Sequence, residues 1–473
     1  MQNALLRCVI LSLAAWISFC QLARSDTDGP ILKWIVPFSQ TVSVDTKGTV
    51  PFSLRENRDS PLRENRESPE VIETPLSDLE QRLFADAADG RLDNFSMLDA
   101  ALIASGVDNS DALQRYRERI SAWAELLRQN NLKNESPRRQ AEAILEFLHG
   151  KILHGRYNIE CTDLRKALDE GNFNCVSATV LFNCLAGELG LASCALETPG
   201  HALSRVFLPE GPLDVETTCP RWFQLRHDPA KQAEALEKTI GRKPANDKTK
   251  IREISPIQLT AMIYYNRGVD LLTEKRFADA AAVNSKALRL DPLNGTARGN
   301  FLATINNWAI ELGNSGHFAQ SLALLRQGLM FDPHYEAFAL NFVHVHHQWS
   351  QQLCKEGRYP DAIELLNQAA SEMPDRDYLQ RAVWEVYRRW AIELFEANRI
   401  DEAFAVFAEA RRRHGASREE LECELASVIE YGKKLLSQSR HEEARLIFDR
   451  ALILQPEIPI LRENRRAMAE NGK

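Results

Sequence analysis

The sequence predicts an α+β domain followed by an all-α array of repeated helix pairs, on two observations. Between Phe173 and Thr218 a cysteine stands at a helix start, a histidine at a strand start, and two acids on the strand that returns. From residue 259 onward, small, aromatic and turn-forming positions recur every 41 residues. A chain of 473 residues is too long for one core. Its 44% hydrophobic and 26% charged content is that of a globular protein. The net charge of −8 and the lack of a basic stripe with interleaved aromatics exclude a nucleic-acid binder.

Residues 1–25 read as a secretory signal. Arg7 gives the charge, Cys8 to Cys20 form a short apolar run, and Ala23-Arg24-Ser25 has the small-x-small form of a cleavage site. Cleavage would start the mature chain at Asp26 and take the net charge from −8 to −10, since Arg7 and Arg24 leave with the signal. The run is short for a membrane span, and an uncleaved anchor is the alternative. The expected location is the periplasm, cell envelope or extracellular space. Residues 26–75 read as a disordered, solvated spacer. They are proline-rich and charged, and they contain a tandem duplication at 54–61 and 62–69.

Residues 76–235 are expected to form the α+β domain, with helices first. Ser136-Pro137 marks a helix start, and 141–148 supplies its apolar face. Asn174 is a good N-cap, so Cys175 falls in the first turn of the next helix. Val176, Val180, Leu181, Cys184, Leu185 and Leu189 continue that helix at its period. The free N–H groups and dipole of a first turn favour a thiolate and can serve an oxyanion. His201 opens an apolar run at 202–208, between Pro199-Gly200 and the turn Pro209-Glu210-Gly211-Pro212. The return strand is 213–218, where Asp214 and Glu216 alternate with Leu213 and Val215 and share a face. A turn centred near Glu210 places Glu216 two residues nearer His201 than Asp214. Glu216 is therefore favoured as the acid that orients His201, with Asp214 as the alternative.

These motifs resemble the transglutaminase-like superfamily, in particular the branch similar to the N-terminal domain of SirB1 proteins. Cys175 falls where that family has its nucleophile and His201, in Pro-Gly-His, where it has its base. Glu216-Thr217-Thr218 stands where many members have Asp-Pro-Thr, so the third acid departs from the usual aspartate. The stretch 95–104 is similar to helices that precede the cysteine in the branch. The resemblance implies a papain/transglutaminase-like fold and thiol acyl transfer: peptide or amide hydrolysis, or cross-linking when an amine accepts the acyl group. It implies no metal or organic cofactor.

Residues 236–258 are expected as a linker, and 259–470 as five repeat units. Ala280, Ser321, Ala362, Ala403 and Ala444 are 41 residues apart, as are Phe277, Phe318, Tyr359, Ile400 and His441. Trp308, Trp349 and Trp390 keep the interval, with Tyr431 next. Pro292, Pro333, Pro374, Gly415 and Pro456 end each unit. The pattern, as in 277–292, resembles the tetratricopeptide repeat, whose period is about 34. Seven extra residues are about two helical turns, which keeps the stripe in register and predicts longer first helices. Small positions let paired helices approach and the aromatics fill the space between pairs. Such arrays offer a concave face to a protein or peptide partner. His344, His346 and His347 lack the i, i+4 spacing of a helical metal site.

Seven cysteines remain after cleavage: Cys161, Cys175, Cys184, Cys194, Cys219, Cys354 and Cys423. The odd number leaves at least one thiol unpaired within the chain, and no CxxC pair marks a zinc site. The sequence thus predicts an exported thiol enzyme, with Cys175 as nucleophile, His201 as base and Glu216 or Asp214 orienting it. The reading from a different class is a non-catalytic envelope scaffold, in which the cysteine domain is vestigial and the repeats bind a partner.

Overall fold

The computed structural model describes residues 76–129, 132–240, 251–373, 377–415 and 417–454. The expected signal at 1–25 and spacer at 26–75 lie outside these residues. The chain divides into two compact units, and among the described residues the division falls between Trp308 and Ala309.

In the first unit, short helices surround one buried helix. Helix α1 (Asp78–Asp86) starts at a capping box of Ser77 with Glu80, and α2 (Met97–Ala104) at one of Ser96 with Asp99. After α3 (Ser110–Gln129), α4 (Pro137–Phe147) starts at Ser136 with proline in its first turn, as its sequence predicts. It runs into a π-helical turn at Leu148–Ile152. Then come α5 (Leu164–Glu170) and α6 (Cys175–Glu188). Helix α6 is apolar on nearly every side, and Cys175 to Asn183 are all buried, which makes it the centre of the core.

Against α6 lies a four-stranded antiparallel sheet in the order β3-β2-β1-β4. Its strands are β1 (Ser193–Thr198), β2 (His201–Leu208), β3 (Gly211–Val215) and β4 (Arg252–Ile254). Leu208 pairs with Gly211, so the hairpin loop is Pro209-Glu210, and Gly211 adopts φ +127°. The described parts of 236–258, the segment expected as a linker, are built into this unit. They hold the end of α7 (Pro229–Ile240), strand β4 and the start of α8 (Pro256–Thr273). Strand β4 pairs with β1, which would otherwise be a sheet edge. Arg252 on β4 pairs with Glu197 on β1 and reaches Asp291 at 2.8 Å.

Helices α8 and α9 (Phe277–Leu290) are the first repeat pair, and they too belong to the first unit. Helix α8 packs on α2, α6, β1 and β4. One tie is a buried ion pair: the Lys286 ammonium lies 2.8 Å from both Glu80 oxygens, and the Tyr264 hydroxyl donates to Glu80 at 2.9 Å.

The repeat continues through α10 (Gly295–Asn314), α11 (Phe318–Phe331), α12 (Glu336–Lys355) and α13 (Tyr359–Glu372). Helices α14 (Asp377–Glu396), α15 (Ile400–His414), α16 (Arg418–Ser437) and α17 (His441–Leu454) complete it. From α10 on, the first helix of each pair has 20 residues and the second 14 or 15, so the long period lies in helix, as expected. Ala280, Ser321, Ala362, Ala403 and Ala444 are completely buried. The Trp349 ring stacks on Phe318 at 5.9 Å and Trp390 on Tyr359 at 5.7 Å, each joining neighbouring pairs. Both tryptophans are only half-buried.

The turn inside each pair carries a second 41-residue pattern. Lys275, Gly316, Gly357, Asn398 and Ser439 all have φ between +59° and +81°. In each case the next N–H bonds back five residues, as in His317 to Leu312 and Arg440 to Leu435. This is the left-handed stop of a Schellman motif. Only two of the five are glycine, so composition hides it. Among the described residues, no helix is long and apolar enough to cross a membrane.

Candidate functional site

Cys175 owes its place to Asn174. The Asn174 side chain accepts from the N–H groups of Val176 at 2.9 Å and Ser177 at 3.0 Å, which caps α6. The Asn174 amide donates to the Ile159 carbonyl at 3.1 Å and the Thr162 hydroxyl at 2.5 Å. The Ser177 hydroxyl returns to the Asn174 N–H and donates to the Cys161 carbonyl. The loop before α6 is thus pinned by the cap itself, and the thiol starts the helix as the sequence predicts. The cap also consumes two of the first-turn N–H groups that were expected to serve an oxyanion. The N–H of Cys175 is the first-turn donor that the cap leaves.

His201 starts β2 and is 6% exposed. Its Nε2 lies 2.7 Å from Glu216 Oε2, and its side chain is hydrogen-bonded to Cys175. With Nε2 on the carboxylate, Nδ1 is the ring nitrogen open to the thiol. Burial alone would push the His201 pKa down. The Glu216 charge, Cys175 and the two hydrogen bonds override it and raise the pKa to about 10. Burial likewise opposes ionisation of Glu216. Its contact with His201 and two bonds from Thr218, N–H at 3.1 Å and hydroxyl at 2.6 Å, hold its pKa below the usual carboxylate value.

The two candidate acids part company. The pairing of β2 with β3 ends at Ser204 opposite Val215. Extending that register puts residue 218 opposite His201. Beyond Val215, Glu216, Thr217 and Thr218 are all buried. Asp214, still on the strand, faces Arg205 across the ladder, accepting from its Nε at 2.7 Å and Nη2 at 3.0 Å. Glu216, just past the end of β3, takes His201, whereas Asp214 takes Arg205.

Thr217 is tied twice. Its hydroxyl is 3.0 Å from that of Thr179, one turn along α6 from Cys175, and its carbonyl is 3.0 Å from His149 Nε2. His149 comes from the π-helical turn and lies edge-on to Phe173, with ring centroids 5.6 Å apart. His149 was not singled out in the sequence. A histidine in a π-turn carries no local pattern that would have marked it.

Chemically, the arrangement is a thiol, an imidazole and a carboxylate in line, with the imidazole proton affinity raised. Such a pair stabilises thiolate with imidazolium. Cys175 has no exposed surface, and burial, the Glu197 charge and then Cys175 all oppose ionisation of Tyr265 of α8. A cavity of about 420 Å³ is lined by Asp99, Arg117, Cys184 and neighbours, and Cys175, His201 and Glu216 are not in its lining. None of the seven described cysteines forms a disulfide.

No family model matches the chain, and no curated protein matches it. Solved structures similar to parts of it include two repeat proteins. One is that of YrrB, described as a TPR protein with an unusual peptide-binding site: 16% identity, 44% of this chain and 92% of the other, TM-score 0.15. The other is a tetratricopeptide repeat protein from Parabacteroides merdae: 17% identity, 54% of this chain and 98% of the other, TM-score 0.15. Likeness at that score carries no weight. The tetratricopeptide-type repeat stands on its 41-residue period and its five helix pairs.

Proposed function

We propose that the chain is an exported thiol acyltransferase of the transglutaminase-like kind, with the repeats binding a protein or peptide partner. Cys175 is the nucleophile and His201 the base that takes its proton through Nδ1. Glu216, in place of the family's aspartate, orients the ring and stabilises the imidazolium. Asp214 is assigned to Arg205 and has no part in the chemistry. The thiolate adds to an amide or ester carbonyl, and the Cys175 N–H donates to the oxyanion. His201 then protonates the leaving amine or alkoxide, and water or an amine releases the acyl group. The observation that carries this reading is the Nε2–Oε2 contact of 2.7 Å, which fixes the tautomer that leaves Nδ1 to the thiol.

Complete burial of Cys175 favours a second reading, a scaffold in which the domain keeps the fold without turnover. The two separate in a trapping experiment. The protein is mixed with an activated ester, quenched in acid, and Cys175 is weighed by peptide mass spectrometry. The enzyme reading expects an acyl adduct on Cys175 that is lost in His201→Ala. No adduct on Cys175 under any ester supports the scaffold.

A further inference from the structure

The segment 216–218 needs more than the sheet to hold it. Ladder pairing stops at Val215, so the next three residues have no cross-strand partner in β2. They are nonetheless buried and polar, and Glu216 lies against His201. Apart from the Cys219 N–H, which donates to the Glu216 carbonyl at 3.2 Å, their fixing falls to side chains. Glu216 is held by His201 and Thr218, and the Thr217 hydroxyl by Thr179. The Thr217 carbonyl is held by His149 Nε2 at 3.0 Å. A carbonyl only accepts, so His149 Nε2 carries the proton.

The placement of His149 is itself constrained. The π-helical turn Leu148–Ile152 replaces regular helix where this side chain projects, and such turns recur at functional sites. Its ring lies against Phe173, two residues before Cys175. Burial lowers its pKa, with the Thr217 bond and the Glu216 charge opposing. A neutral imidazole with its proton on Nε2 gives a steady donor that adds no charge beside Glu216.

We propose that His149 is a positioning residue for Cys175, His201 and Glu216: it clamps the Thr217 carbonyl and so keeps the Glu216 carboxylate on His201. It touches none of the reacting atoms. Its catalytic meaning rests on the acyl-transfer reading, but its effect on His201 does not.

The test uses the full chain with isotope-labelled histidine and three substitutions. His149→Gln places an amide N–H where Nε2 was. His149→Asn is as polar but too short to reach. His149→Phe keeps the ring packing on Phe173 and loses the donor. Two quantities are read: the His201 pKa by nuclear magnetic resonance, and the pH profile of Cys175 alkylation by iodoacetamide. The proposal expects Phe and Asn to lower the His201 pKa by about one unit or more. It expects the acid limb of alkylation to move up with it, while Gln keeps both near wild type. If His149→Phe does not fold, the contrast of Gln with Asn decides. Wild-type values in both Phe and Asn, or a Gln variant as damaged as they are, overturn the proposal. If wild-type Cys175 proves inert while Phe or Asn still lowers the His201 pKa, the acyl-transfer reading falls and the clamp stands.

Discussion

Replacing Glu216 with glutamine changes a charge and a hydrogen-bond polarity while keeping the shape. The carboxylate oxygen is 2.7 Å from His201 Nε2, and both residues are buried. A carboxylate at that range holds an imidazolium by about 1–3 pKa units. That is about 1.4–4 kcal/mol of preference for the thiolate–imidazolium pair. The amide also inverts the tautomer. The Gln oxygen keeps the Thr218 bonds, so its NH2 meets Nε2, and the ring proton moves to Nδ1, facing the thiol. His201 then has no lone pair for the Cys175 proton. The assay is the rate of Cys175 alkylation against pH, with the site confirmed by peptide mapping. In wild type the His201 pKa is raised, so the imidazolium is lost only as pH climbs toward 10. In Glu216→Gln the acid limb should move up by about 1–3 pH units. Asp214→Asn breaks only a part-exposed bond to Arg205 and should stay within about twofold of wild type. An unshifted profile in folded Glu216→Gln, or a larger shift in Asp214→Asn, would refute the assignment.

Three predictions concern the scaffold. A Cβ on Gly328 of α11 would lie 2.6–2.7 Å from the ring of Phe338, so Gly328→Ala should lower the melting temperature. The overpacking of about 1–3 kcal/mol outweighs a helix gain of about 0.5–1 kcal/mol; a stabilised variant would mean the helices do not approach so closely. Ser439→Gly should stabilise by about 1 kcal/mol in chemical denaturation, because serine there holds φ +61°, and a destabilised variant would dispute the left-handed turn. Lys286→Met strands the buried Glu80 carboxylate and should cost about 3–5 kcal/mol, largely recovered in the double variant with Glu80→Gln. A cost well below 1 kcal/mol for the single change would show that Glu80 is solvated.

The repeat was legible because its signals are local and recur: one small residue, one aromatic and one stop per 41 residues. The start of α6 was legible for a similar reason, since Asn174 caps within its own turn. His201 at the head of β2 and the turn at Glu210 followed from Pro and Gly on either side. What escaped depends on partners far along the chain. Strand β4 is three residues long and exists because β1 offers an edge. The tie of Lys286 to Glu80 spans 206 residues. The left-handed turns escaped because three of five are not glycine.

The proposed chemistry requires Cys175 to be an activated thiol despite its burial. The most direct measurement is the alkylation rate of each cysteine in the native full chain, followed site by site across pH. Cys175 is expected to react faster near neutral pH than the partly exposed Cys194 and Cys423. Reaction of Cys175 only after denaturation, while Cys194 and Cys423 react in the native chain, would contradict it.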